Sequence, residues 1–241
     1  MENKGLQDHI SNLLQAIESN LLAYAKDPKP NHLHRIRVSI KKIKALLSFA
    51  THTYQEPYTT NQLDSLFDAA GQLRELQINS IVLGKFTNPP VVLLAELQAK
   101  EKRLTEEFTA NCPNYSKVVK LLQETITMPD KLPSKKSIKD YFKISQKKAA
   151  EKRQLKDRIS LHQYRIRIKK LMYAFSFLPG PIQKEIPFPE ADYKKQQRKL
   201  GVWHDTAMAV AFLSMQNREG LASDSLLQLQ EKEKRQFNKL F

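Results

Sequence analysis

The sequence states one pattern twice. Leu33-His34-Arg35-Ile36-Arg37-Val38-Ser39-Ile40-Lys41-Lys42-Ile43 returns as Leu161-His162-Gln163-Tyr164-Arg165-Ile166-Arg167-Ile168-Lys169-Lys170-Leu171. Each copy opens on Leu-His, places an arginine three residues after the histidine, and places a Lys-Lys pair four residues after that arginine. A repeated packing element needs only its apolar positions to match. Here the basic positions match as well, so the repeat preserves a chemistry together with a fold element. Two unrelated solvated faces have no reason to keep His, Arg and Lys in one order. The chemistry implied is the binding of a strongly anionic partner.

At about 100° per residue, His34, Arg37, Lys41 and Lys44 fall between roughly 280° and 0° on a helical wheel, and Ile36, Ile40, Ile43 and Leu47 fall between roughly 180° and 240°. The first copy is therefore an amphipathic helix with a basic stripe flanking its core stripe. The second copy behaves alike: His162, Arg165 and Lys169 share a stripe, and Tyr164, Ile168, Leu171 and Phe175 form the packing face. A long cation in the flanking position lays its methylenes along the core edge and aims its charge into a groove.

The rest of the chain supports helix. Only 6 glycines occur in 241 residues, and alternating strand-like runs bounded by turn residues are nearly absent. The expected class is all-α, with ample length for a buried core. The net charge of +15, from 40 Lys+Arg against 25 Asp+Glu, predicts a polyanion as partner: nucleic acid, inorganic polyphosphate, a phosphorylated metabolite or an anionic membrane surface. One cysteine, Cys112, excludes an internal disulfide and fits a reducing compartment. No signal-like segment and no apolar run long enough to span a bilayer is present, so the expected location is cytoplasmic.

Breaker residues divide the chain. Helices are expected over about 6–25, 31–51, 60–84 and 93–109, punctuated by Asp27-Pro28, Glu56-Pro57, Asn88-Pro89-Pro90 and Cys112-Pro113. A short helix over 115–127 precedes Met128-Pro129-Asp130-Lys131-Leu132-Pro133, the best linker in the chain. The scheme then repeats with helices over 137–158, 161–178, 192–216 and 223–240, with Pro179-Gly180-Pro181 stopping the second motif helix. The expected division is one helical repeat in residues 1–128 and another in 129–241.

A second echo aligns Gly71-Gln72-Leu73-Arg74-Glu75 with Gly201-Val202-Trp203-His204-Asp205. Glycine inside a helix costs about 1 kcal/mol relative to alanine, so its recurrence predicts close approach of a neighbouring helix. The acid four residues on, Glu75 or Asp205, is a candidate partner for a motif-helix cation. Trp203 reads as a core anchor.

Together, His34-x-x-Arg37-Val38-x-x-Lys41-Lys42-x-Lys44, Leu161-His162-x-x-Arg165-Ile166-x-x-Lys169-Lys170-Leu171-x-Tyr173 and the two glycine segments resemble the CHAD family, the conserved-histidine α-helical domain. The resemblance spans nearly the whole chain. It implies two pseudo-symmetric four-helix bundles, together one domain, with a basic central channel that binds long-chain inorganic polyphosphate without catalysis. By that resemblance His34, Arg37, Lys41 and Lys44 line one side of the channel, and His162, Arg165, Lys169 and Lys170 the other; an association with polyphosphate granules would follow. The chain departs from the pattern at Met172, where a basic residue is usual, at Glu75 in place of Asp, and at Gln77 and Ala207, where a second acid is common. No Glu-x-Glu-x-Lys strand of a fused triphosphate-hydrolysing domain occurs, so the module stands alone.

These residue types suit a flexible polyanion that has no bases to read: lysine supplies adaptable point charges, and arginine adds bidentate contact to phosphate oxygens. Nucleic acid is the alternative partner, although no zinc-finger spacing or RNA-binding motif occurs and the aromatics keep core periodicity. A metal site is not expected, because His32 and His34 diverge on a helix and no His-Glu-x-x-His or Cys-x-x-Cys occurs. His9 and His52 read as surface residues near helix ends. No cofactor is implied. The apolar residues of the C-terminal helix, Leu226, Leu227, Leu229, Phe237, Leu240 and Phe241, are expected to pack into the second bundle and not onto a membrane.

Overall fold

The computed structural model describes residues 5–86, 91–216 and 223–241, and all of their regular structure is helical. The expected punctuation at Asn88-Pro89-Pro90 lies outside the described residues.

Helix α1 (Leu6–Lys26) buries Leu6, Ile10, Leu14, Ile17, Leu21 and Tyr24, a single stripe at spacings of three and four. Helix α2 (Pro30–Tyr54) starts on a proline, whose missing N–H is no loss in a first turn. Besides its apolar stripe, α2 buries Ser39, Ala45, Leu46 and Phe49. The width of that buried surface follows from its position, because α1, α3, α5 and α6 all pack against it. After a single 3-10 turn, Asn61–Leu63, comes α3 (Asp64–Leu83), and then α4 (Val91–Thr125). The four helices close on one another: α1 meets α2 and α4, and α3 meets the same two.

The expected break at Cys112-Pro113 does not occur. Residues 91–125 form one helix with Pro113 inside it. Phe108, Cys112, Val119 and Leu122 are buried on a stripe that runs straight through this point, while Pro113 itself is exposed. The proline removes one hydrogen bond on the wet face, where water can replace it, and the dry face carries the packing.

Helices α5 (Lys135–Gln154) and α6 (Arg158–Phe177) begin on side-chain caps: Ser134 accepts from the Ser137 N–H at 3.1 Å, and Asp157 accepts from the Ser160 N–H at 2.8 Å. The cap at Asp157, with Lys156 at φ 53° just before it, starts the second motif helix three residues earlier than expected and ends α5 four residues earlier. Pro179-Gly180-Pro181 does stop α6, but it also opens a short helix, α7 (Gly180–Lys184). Helices α8 (Glu190–Gln216) and α9 (Ser223–Asn238) complete the chain. Helix α6 packs on α5 and α8, and α9 packs on α8.

One core cluster extends from Leu6 to Trp203 without interruption. Its seam is the crossing of the two motif helices. Phe49 of α2 is fully buried and lies 5.0 Å from the Tyr141 ring of α5 and 6.2 Å from the Phe177 ring of α6. A smaller cluster joins Leu76 and Leu83 of α3 to Leu97 of α4, Phe212 and Leu213 of α8 and Leu229 of α9. Trp203 is 2 % exposed, a core anchor as expected. Its Nε1–H donates to Glu233 Oε1 at 2.7 Å, which ties α9 to α8. Of the C-terminal apolar residues expected to pack into the second bundle, Leu227 and Phe241 stay exposed.

Candidate polyanion site

Because α2 and α6 pack together, their basic stripes meet. Arg37, Lys41, His162, Arg165 and Lys169 are each partly buried, and His34 is exposed. Their mutual influence maps the arrangement. Lys41 is depressed to about 8, by burial first and then by Arg37, Lys169 and Arg165. His34 is held below its usual range by burial and by Arg74, Lys169, Lys41 and Arg37. His162 is lowered by burial, Arg165 and Lys41. His34 thus answers to Lys169, and Lys41 to both Lys169 and Arg165, so cations of the two stripes stand close to one another.

Two residues complete the cluster that the motif alone did not supply. Arg74 comes from α3. His204 of α8 stacks beside His162, with ring centroids 4.6 Å apart, and is depressed to about 4 by burial, Arg165, His162, Lys41 and Lys169. Both stand three residues after the paired glycines. The recurrence of a basic residue at that place in the two glycine segments was the available signal.

Arg37 is the most constrained cation. It donates to the Phe67 carbonyl oxygen through Nη1, and its guanidinium lies over the Phe67 ring with the carbon 4.1 Å from the centroid. A Cβ at Gly71 would fall on that guanidinium, 3.1 Å from its carbon. The close approach expected at Gly71 is therefore to a side chain of α2 and not to a helix backbone. At Gly201 a Cβ would meet nothing within 4 Å, so no close approach explains the second glycine.

The acids are secondary. Burial lowers Arg37 and Arg165, and nearby carboxylates (Asp68 and Glu75 for Arg37, Asp205 for Arg165) oppose that lowering. Among the described residues neither Glu75 nor Asp205 comes within ion-pair distance of a cluster cation. The inward-facing Nε of Arg165 and Nδ1 of His162 are buried without hydrogen-bond partners. The site is thus a set of partly desolvated cations in which burial lowers the arginines, and burial with neighbouring cations lowers Lys41, Lys169 and the histidines, an arrangement that gains when an anion enters.

Lys44 borders the cluster: its Nζ lies 4.8 Å from the centroid of the Phe67 ring that Arg37 and Lys41 also face, and it pairs with Asp64 at 2.5 Å. Lys170 is exposed. Both also line a cavity between α2, α5 and α6. Met172 packs against the core, leaving the second stripe without a fourth cation. His9 and His52 are not bare surface residues: His9 lies 5.4 Å from the Phe177 ring, and His52 lies 5.4 Å from the Tyr141 ring.

Gly71→Ala offers a local test. A methyl group there must displace the Arg37 head group, losing a hydrogen bond worth about 1 kcal/mol. Helix propensity returns about the same amount. Anion affinity, read by titration calorimetry, should therefore fall several-fold while the melting temperature barely moves.

Among the described residues the architecture is all-helical. The CHAD domain family model matches residues 8–214, and the chain belongs to that family. The fold is also that of a solved relative: the crystal structure of the CHAD domain from the plant Ricinus communis superimposes with a TM-score of 0.73 at 17 % identity, covering 97 % of this chain and 86 % of that one. No curated protein matches the sequence. Among the described residues no helix is long and apolar enough to cross a membrane.

Proposed function

We propose that the chain binds inorganic polyphosphate, without catalysis, across the cluster formed by His34, Arg37, Lys41 and Arg74 with His162, Arg165, Lys169 and His204, each half contributing one motif helix. The observation that carries this reading is the gathering of partly buried cations of α2 and α6, beside Arg74 of α3 and His204 of α8, with no carboxylate in ion-pair distance of Arg37, Lys41, Arg165 or Lys169 among the described residues. Such a cluster raises the energy of the empty protein and is relieved by a ligand with one negative charge per unit and no fixed geometry. Lysines adapt to an irregular chain, and Arg37 and Arg165 hold phosphate oxygens in pairs. Counterion release makes the affinity fall steeply with salt. Targeting of the protein to polyphosphate granules is the simplest cellular use of such a surface.

The test is calorimetric titration with long-chain polyphosphate beside a duplex DNA of matched phosphate count at physiological salt. Markedly tighter polyphosphate binding is expected. Equal or tighter DNA binding would replace this reading with nucleic-acid recognition.

Binding should also take up protons. In the free protein His204 titrates at about 4 and Lys41 at about 8. A polyanion beside them raises both, so the bound state holds more protons than the free state. Affinity is then expected to rise as pH falls from 9 to 6, with the steepest change near the Lys41 value. Titrations in buffers of different ionisation enthalpy would measure the uptake, and a flat profile would sink the idea.

A further inference from the structure

In its C-terminal half α2 turns a second surface toward α5 and α6. A cavity of about 800 Å³ opens there, bordered on its fourth side by residues 58–61. That size falls within the range of small-molecule sites, about 300–1,000 Å³. The bordering segment and the residues before it are held in place: Gln55 takes the left-handed conformation at φ 62°, the Tyr58 N–H donates to Thr51 Oγ1 at 3.1 Å, and Thr60 is buried.

The lining differs in kind from the basic seam. One wall is aliphatic, made by Leu47, Ile144, Ile166 and Leu171. Ile144 and Ile166 remain 41 % and 40 % exposed although they face a concave surface. Beside them stand Lys148, Arg167 and Lys170, none of which closes an ion pair among the described residues, whereas Lys44 is occupied by Asp64. His52, Tyr58, Asn61 and Gln163 add rings and hydrogen-bonding groups. Linear polyphosphate would satisfy the cations and leave the aliphatic wall wet. An apolar ligand would cover the wall and strand the cations. A ligand that satisfies both carries phosphate at one end and an apolar or aromatic body at the other.

We propose that this cavity, which borders the polyphosphate seam at Lys44, is a second binding site, for a compact phosphate ester of nucleotide type. Lys148 and Arg167 hold its phosphates, and the body lies against Ile144, Ile166 and the Tyr58 ring. This assignment does not rest on the polyphosphate reading.

The experiment compares ATP with inorganic triphosphate, which presents the same phosphates without the body, by calorimetry at physiological salt. Apolar and stacking contact with the body should make ATP about tenfold the tighter ligand. The pair Lys148→Gln and Arg167→Gln should weaken ATP at least tenfold and leave long-chain polyphosphate within about threefold, since two charges outside its track carry little of its affinity. Ile166→Ser should erase the preference for ATP over triphosphate, and thermal melts would establish that the variants remain folded. Equal affinity for ATP and triphosphate overturns the proposal, as does ATP binding indifferent to the double substitution. Parallel loss of ATP and polyphosphate also overturns it, since the cavity would then be an extension of the seam. ATP binding that responds as described in a protein that ignores polyphosphate would uphold this site and remove the other function.

Discussion

Changing Lys41 and Lys169 together to glutamine should weaken polyphosphate binding by about a hundredfold or more, because two charge-assisted contacts of about 1.5–3 kcal/mol each are lost. The same change should make the empty protein more stable. Lys41 and Lys169 are both held below the usual lysine range by burial and by the neighbouring Arg165. Neutral side chains of similar length keep the packing and remove that repulsion. A gain of about 1 kcal/mol would raise the melting temperature of a chain this size by about 2–4 °C. The sign depends on pH in a definite way. The folded protein releases the Lys41 proton near pH 8, whereas the unfolded chain holds it to about 10.5. The penalty of the wild-type charge is therefore complete below pH 8 and shrinks as pH rises from 8 toward 10.5, and the advantage of the variant should shrink with it. Melting curves of both proteins at pH 7 and pH 9.5, with and without polyphosphate, would measure all of this. A variant that loses binding and also loses stability would show that these lysines are structural.

Glu233→Ala should be among the most damaging single substitutions outside the seam, at about 2–4 kcal/mol. Glu233 is 5 % exposed, and its carboxylate accepts from Trp203 Nε1 at 2.7 Å and from Arg158 Nε and Nη2 at 2.9 and 2.7 Å. Most of the loss comes from the indole N–H, which is left inside the protein without a partner. The Arg158 side chain is largely exposed, so its share is smaller. Glu233→Gln keeps an acceptor for the indole and should cost about 1 kcal/mol or less. Hydrogen bonds from Arg158 first, and from Trp203, hold the Glu233 carboxyl below its ordinary range. Its contribution is therefore complete above the unfolded value of 4.5 and is lost as pH falls through the lower folded value. Denaturant melts of the three proteins between pH 7 and pH 3 would test this. The defect of the alanine variant should narrow toward the acid end.

The helical class and the two basic stripes could be read from the sequence because both are properties of a single element. Spacing alone places Arg37 and Lys41 on one side of α2; it also turns Lys170 about 80° from His162, although the family resemblance counts Lys170 among the channel residues. What spacing does not carry is the angle between elements. Lys44 shares the wheel sector of Arg37, yet it lies far enough along the axis to meet Asp64 at the start of α3 instead of the second stripe. His204 and Arg74 join the cluster through the packing of α8 and α3, although each is isolated in its own segment. The two glycines look equivalent in the sequence and are not, since only one faces an arginine head group. At Pro113 local propensity was overruled by a buried stripe on the opposite face.

The unbroken core beneath the crossing of α2 and α6 also bears on the mechanics of the proposed polyphosphate recognition. Phe49, Tyr141, Phe142 and Phe177 lock the two helices side by side, so the spacing of the cations above them cannot stretch to suit a guest. Whatever compliance binding requires has to come from the ligand. A phosphate chain bends at every linkage and can follow such a fixed ruler, whereas duplex DNA is straight over about 150 base pairs and can touch it only tangentially. Discrimination by stiffness needs no base-reading contacts.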